Sequence, residues 1–228
     1  MNLTINKKKL LIQLIKNYSL LGYKINKSNP KMGPYLLSIK NGYTIFNLIK
    51  TLKFLKLAGN IIKKIAHRGG KILFVGTNDI LFNLNILELY AQHTNSFFLT
   101  SRWIGGLLTN WETNKKLINR LNYLESFDNN FYNISKKKIS KYKKELYRLQ
   151  QLFTGIKNMT ELPDLVIFIN QNKDLLAIKE CLALGLPIIS IVDTDSDPTL
   201  VPFSIPCNKN SCFSLHLILN YLTNQIKF

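Results

Sequence analysis

The first seventy residues contain no aspartate or glutamate, although they carry fourteen lysines and arginines. Cysteine is scarce as well: Cys181, Cys207 and Cys212 cannot complete a disulfide framework, and they fit a reducing compartment better than secretion. Cys207 and Cys212 with His216 one helical turn later could supply three metal ligands. Their spacing is not that of a zinc knuckle and no second cysteine pair exists, so the thiols are expected to be structural. Long apolar runs are also missing. None reaches the ~18 residues of a membrane span, the stretch Leu10–Ile15 is too short, and no membrane partner is expected. Lys7–Lys9 ahead of that stretch faintly imitates a signal peptide, but no small-residue cleavage site follows. The N-terminus also lacks the Arg and Ser of a transit peptide, from which the protein is expected to work where it is made.

What the chain does hold is positive charge. Its 228 residues carry 31 Lys and Arg against 13 Asp and Glu, a net +18, more than twice the magnitude of about 8 that solubility favours. The excess sits in two segments. Residues 1–70 have fourteen basic and no acidic side chains and 110–150 have ten against four, whereas 71–109 are balanced and 151–228 are slightly acidic. A nucleotide bias towards Lys, Asn, Ile and Phe would raise lysine everywhere, and would not empty seventy residues of acid while leaving the last third acidic. The pattern is that of a polyanion footprint, since each neutralised phosphate releases counterions. Hydrophobic residues at 46% suffice for a core.

Helical patterns alternate with short apolar runs. Ile72–Gly76, Leu165–Ile169 and Ile188–Val192 are continuous, β-branched stretches of the kind covered by helices on both faces, and Thr44–Phe46, Phe97–Leu99 and Phe203–Ile205 are weaker candidates of the same kind. Leu52, Leu55, Ile62 and Ile65 share one helical face that Gly69 and Gly70 would end with a left-handed cap. Residues 80–93 and 173–184 read as further helices, the second closing at Gly185 before Pro187. This alternation predicts an α/β domain with a doubly wound, mostly parallel sheet. Between Trp111 and Phe153 the pattern changes. Leu117, Leu121 and Leu124, then Ile139, Tyr142, Leu146, Leu149 and Phe153, recur at threes and fours, with Asp128–Asn130 and Asn133 as the turn. That spacing predicts two helices paired as a projecting antiparallel coiled-coil hairpin. The division is therefore 1–110 with 154–228 as the α/β domain, including a basic N-terminal extension 1–35, and 111–153 as an inserted hairpin.

Enzyme-like constellations are few. Gly76-Thr77 after a strand could cradle phosphate, but no glycine-rich fingerprint is present and Asn78 is followed by the acid Asp79. Asp193, Asp195 and Asp197 alternate in one loop and could hold Mg²⁺, the basis of an alternative reading as a metal-dependent phosphate-processing enzyme. Asp, Ser and Pro equally serve a turning loop, and His67, His93 and His216 are scattered without a nucleophile. No catalytic residue, metal or cofactor is expected. The densest cluster of unusual residues is RWIGGLLTNW, Arg102 to Trp111, which holds both tryptophans around Gly105-Gly106. Trp and Arg there can stack on bases or pack the base of the hairpin.

These segments resemble, in order, the S2 family of small-subunit ribosomal proteins. NPKMGPYLL (Asn29 to Leu37), GGKILFVGT (Gly69 to Thr77) and RWIGGLLTNW correspond to family blocks, as do LPDLVIFI and the run AIKECLALGLPIISIVDTDSDPTLVPFSIPCN. The resemblance covers nearly the whole chain. It implies a flavodoxin-like fold with a coiled-coil hairpin, a place between head and body of the small subunit, and a structural role binding rRNA and neighbouring ribosomal proteins, with no homo-oligomer. Polar residues of the motif blocks, Asn29, Lys31, Arg102 with Trp103, and Asn110, are then expected at RNA. So are the lysines of the acid-free segment, Lys7, Lys8, Lys9, Lys24 and Lys27. On the helical pair the expected set is Lys115, Lys116 and Arg120, then Lys136, Lys137, Lys138, Lys141 and Lys144. Ser28 stands where the family has Trp, and Gly22-Tyr23 where it has Gly-His, which withholds the recruitment of the largest small-subunit protein. The drifted N-terminus and lysine-rich, tail-less chain suggest a mitochondrial ribosome, with plastid or bacterial cytoplasm as alternatives.

Overall fold

Three apolar runs, buried on both faces, set the centre of the fold. In the computed structural model, residues 2–77, 81–127 and 136–226 are described, with side chains over 8–77, 86–126 and 137–226. The elements are α1 (Asn2–Lys16), β1 (Leu21–Lys24), β2 (Leu36–Lys40), β3 (Tyr43–Phe46), α2 (Leu48–His67), β4 (Ile72–Val75), α3 (Leu81–His93) and β5 (Phe97–Leu99). They continue with α4 (Trp111–Phe127), α5 (Lys136–Phe153), β6 (Leu165–Phe168), α6 (Leu175–Ala183), β7 (Ile188–Val192), β8 (Phe203–Pro206) and α7 (Cys212–Asn224).

Five strands form a wholly parallel sheet in the order β5-β4-β6-β7-β8. The winding direction reverses between β4 and β6, so this is the doubly wound, flavodoxin-like arrangement. Every residue of β4, β6 and β7 is buried, and the two-residue period divides them between two cores. Leu73, Val75, Val166, Phe168 and Ile188 face the layer that holds α6, α4 and α5. Ile72, Phe74, Leu165, Ile167 and Ile189 face α2, α3 and α7. The helices end where glycine allows. Gly69 takes φ +71 and Gly70 N–H donates to the Ile65 carbonyl, and Gly185 takes φ +66 ahead of Leu186 N–H on Cys181.

Thr44–Phe46 is not a member of that sheet. It belongs to β3, the middle strand of a separate antiparallel sheet ordered β1-β3-β2. The cause is local: Asn41 and Gly42 both adopt positive φ, 51° and 77°, and pair Lys40 directly with Tyr43. A two-residue Asn-Gly turn closes a hairpin, and a hairpin is antiparallel. Met32, Phe46 and Val192 then pack the small sheet onto the end of β7.

The helical pair differs from the expected hairpin in two ways. The seam of α4 runs through Ile118, Leu121 and Leu124, whereas Leu117 is 40% exposed. The seam residues are also continuous with the core beneath the main sheet. The described contacts that join the two helices include Arg120 with Glu145, and Glu125 accepting from Gln150 and from Lys157 beyond α5. The predicted turn at Asp128–Asn130 and Asn133 lies outside the described residues.

Candidate nucleic-acid interface

The Arg102–Trp111 segment is organised by a side chain that composition gives no reason to single out. Glu180, on the otherwise apolar buried face of α6, is 8% exposed. Its carboxylate accepts from Trp103 Nε1 at 3.1 Å, Gly106 N at 2.7 Å and Leu108 N at 3.2 Å. Gly106, at φ +81, turns the chain so that both amides reach it. Asn114 Nδ2 donates to the carbonyls of Gly106, Leu107 and Asn110 and closes the other side of the turn. Trp103 is 7% exposed, its ring 6.5 Å from that of Phe168. The packing alternative thus describes Trp103: an indole held in the core cannot stack on a base without unfolding this turn. Arg102 and Asn110 remain exposed at its two ends.

The expected cations separate into two groups. Lys8, Lys9, Lys24 and Lys27 are exposed along the N-terminal elements, and Lys24 lies over the Tyr43 ring at 5.7 Å. Lys116 on α4 and Lys137, Lys138, Lys141 and Lys144 on α5 are exposed, and Lys115 is half-buried. On α5 Lys137, Lys141 and Lys144 lie opposite the buried Leu146, Leu149 and Phe153, so the apolar stripe itself turns them outward, while Lys138, about three turns before Leu149, is exposed at the start of the helix ahead of the buried residues. Side chains of Lys7 and Lys136 lie outside the described set. The second group is already engaged. Arg120 Nε and Nη2 donate to the two carboxylate oxygens of Glu145 at 3.0 and 3.2 Å, and its guanidinium sits over Tyr123 and Tyr142. That pairing holds Glu145 below the usual carboxylate range. Lys31 Nζ pairs with Asp197 at 2.5 Å, and Asn29 Oδ1 accepts from Lys31 N at 3.0 Å.

The Asp193–Asp197 loop does not converge on an ion. Asp193, buried, accepts from Thr194 N at 2.7 Å and Lys209 N at 3.0 Å. Asp195 accepts Lys209 Nζ on both oxygens at 2.8 Å. Asp197 accepts Lys31 and, on its other oxygen, Thr199 N and Oγ1. Each carboxylate has its own donors, and no group of three metal-ligating side chains forms among the described residues. The Mg²⁺ enzyme reading accordingly loses its geometry. The ammonium of Lys209, 4% exposed and 5.8 Å above the Tyr23 ring, is the cation of this loop. Burial pushes Asp193 up to about 6, while the Lys31 and Thr199 hydrogen bonds pull Asp197 down to about 2. With Asn29 N–H on the Thr194 carbonyl and Tyr23 N–H on Thr194 Oγ1, the loop is the anchor that fastens the N-terminal elements to the main sheet. Lys209 was not visible from sequence because it reaches the loop from beyond β8.

Residues 14–227 match the family described as Ribosomal protein S2. The chain is 42% identical over 207 residues to the small ribosomal subunit protein uS2c of Galdieria sulphuraria, a match covering 91% of this chain and 88% of that one. It is 38% identical over 218 residues to the uS2c protein of Guillardia theta, covering 95% and 92%. Against the uS2 protein of a Picosynechococcus strain it is 36% identical over 218 residues, covering 95% and 84%. These relatives are plastid and cyanobacterial proteins, so the mitochondrial expectation is not supported. A drifted N-terminus and a lysine-rich composition, from which that expectation was read, do not distinguish one compartment from another.

Proposed function

Because the chain belongs to the ribosomal protein S2 family, we propose that it is a structural constituent of the small ribosomal subunit of a plastid-type ribosome, binding rRNA and neighbouring small-subunit proteins without catalysing a reaction. The single observation that carries this reading is the family match across 14–227. The geometry supports it in one respect: the buried stripe of α5 leaves Lys137, Lys141 and Lys144 on the outer face of one helix, with Lys138 exposed beside them, where a row of cations can track a phosphate backbone. The N-terminal lysines form a second such surface, and the position between head and body of the subunit is part of the same proposal. Plastid rather than bacterial placement rests on the uS2c relatives.

Sucrose-gradient sedimentation of a tagged chain tests this directly. The tag is expected to travel with small subunits at moderate salt and to leave them as salt rises. A pool that stays wholly at the top of the gradient at every salt concentration contradicts it.

A further inference from the structure

A cleft of about 540 Å³ opens between the Arg102–Gly105 turn and the last turns of α5. Its apolar floor comes from Trp103, Ile104 and Leu152, and its rim carries Arg102, Tyr147 and Arg148. A second cleft of about 480 Å³ continues along α5 past Lys144, and Tyr147 borders both. Tyr147 is 66% exposed in a helix whose other large apolar side chains are turned inward. Among the described residues, no acidic side chain lines either cleft. The acid of α5, Glu145, is taken by Arg120 on the opposite side.

An exposed aromatic ring between two slots, with an arginine or lysine at the mouth of each, exceeds what duplex binding needs. A duplex backbone is satisfied by cations alone. A ring face over an apolar floor serves a base that has left its stack, and neighbouring cations hold the phosphates on either side. Resting on the ribosomal reading above, the geometry points to an unpaired stretch of RNA seated here, one base stacked on Tyr147 and its flanking phosphates held by Arg102, Arg148 and Lys144. The occupant is identified as RNA rather than an acidic peptide by the combination of stacking face and flanking positive charge.

Tyr147→Ala, Tyr147→Phe and Arg102→Ala, made in the full chain, test this, with unchanged helix content by circular dichroism as the folding control. The probes are a labelled single-stranded oligouridylate and a blunt RNA duplex, each followed by fluorescence anisotropy at one salt concentration. Tyr147→Ala and Arg102→Ala are expected to weaken the single strand about tenfold or more. Tyr147→Phe, which keeps the ring, should stay close to the parent, and the duplex should be insensitive to both tyrosine variants. Oligouridylate binding by Tyr147→Ala equal to the parent overturns the proposal. So does an equal loss on single strand and duplex, which would mark a general effect. A photoreactive benzoylphenylalanine at position 147, assembled into small subunits, should crosslink RNA, and crosslinks confined to protein would assign the cleft to a polypeptide instead. A parent chain that binds neither probe also overturns the cleft, and subunit sedimentation then decides the ribosomal reading on its own.

Discussion

Glu180 shows how one buried side chain shapes a surface. It satisfies two backbone amides and the indole of Trp103 at once, and removing it would strand all three donors, those of Trp103 and Leu108 inside the core. Glu180→Ala is expected to cost about 2–4 kcal/mol in urea denaturation, with a red-shifted tryptophan emission as the turn loosens. Glu180→Gln, still an acceptor on one atom, should lose less; equal stability of Glu180→Ala and the parent would refute the anchoring role. Asp174 offers a pH test. Its Oδ1 accepts from Thr77 Oγ1, and burial lifts its carboxyl to about 6. The folded pKa lies above the unfolded value near 4. Stability from this group is therefore fully present below about pH 4, falls as pH rises, and is lost above about pH 6. Asp174→Asn keeps the acceptor and abolishes the charge. It should match the parent at pH 4 and exceed it at pH 7 by on the order of 1–2 kcal/mol, at most the ~3 kcal/mol of a two-unit shift. Asp193, raised for the same reason, keeps its own slope in that window. A stability difference that is the same at both pH values would count against this account of Asp174.

Elements whose residues alone dictate their neighbours were legible in the sequence. The runs at Ile72, Leu165 and Ile188 become the three central strands because four or five consecutive buried residues fit only a sheet covered on both faces. The glycines at 69 and 185 end α2 and α6 because only glycine takes their φ at little strain. The β3 strand was legible as a strand but not as a member of its sheet, since that depends on the Asn41-Gly42 turn next to it. The seam of α4 against α5 was legible only in part: heptad spacing admits Leu117 as readily as Ile118, and only packing on the core beneath the main sheet buries Ile118. The docking of that pair can be tested at Gly155, just beyond α5. A Cβ built there would lie 2.0 Å from the Phe98 carbonyl oxygen on β5. Gly155→Ala is expected to destabilise the fold by about 3 kcal/mol or more, seen as a lowered thermal midpoint, whereas Gly33→Ala, with open space around it, should change it little. Comparable midpoints for the two variants would mean that the turn after α5 is not packed against β5.

At the scale of the whole molecule, the charge has a structural counterpart. The acidic last third turns Asp193, Asp195 and Asp197 inward onto Lys209, Lys31 and backbone amides, while α5 turns four lysines outward. The candidate interface was therefore legible in the sequence as a segment, but not residue by residue. Trp103 and Arg120 turned out to be engaged internally by Glu180 and Glu145, contacts between positions 77 and 25 residues apart. What remains is whether the outward lysines of α5 meet phosphate. The direct measurement is the salt dependence of affinity for small-subunit rRNA, comparing the parent with a variant in which Lys137, Lys138, Lys141 and Lys144 are glutamine. If all four neutralise phosphates, the slope of log K against log salt should become shallower by about 3–4, at ~0.9 per contact on duplex and ~0.7 on single strands. An unchanged slope would mean those ammonium groups face water in the bound state, and would contradict the assignment of this helix to RNA.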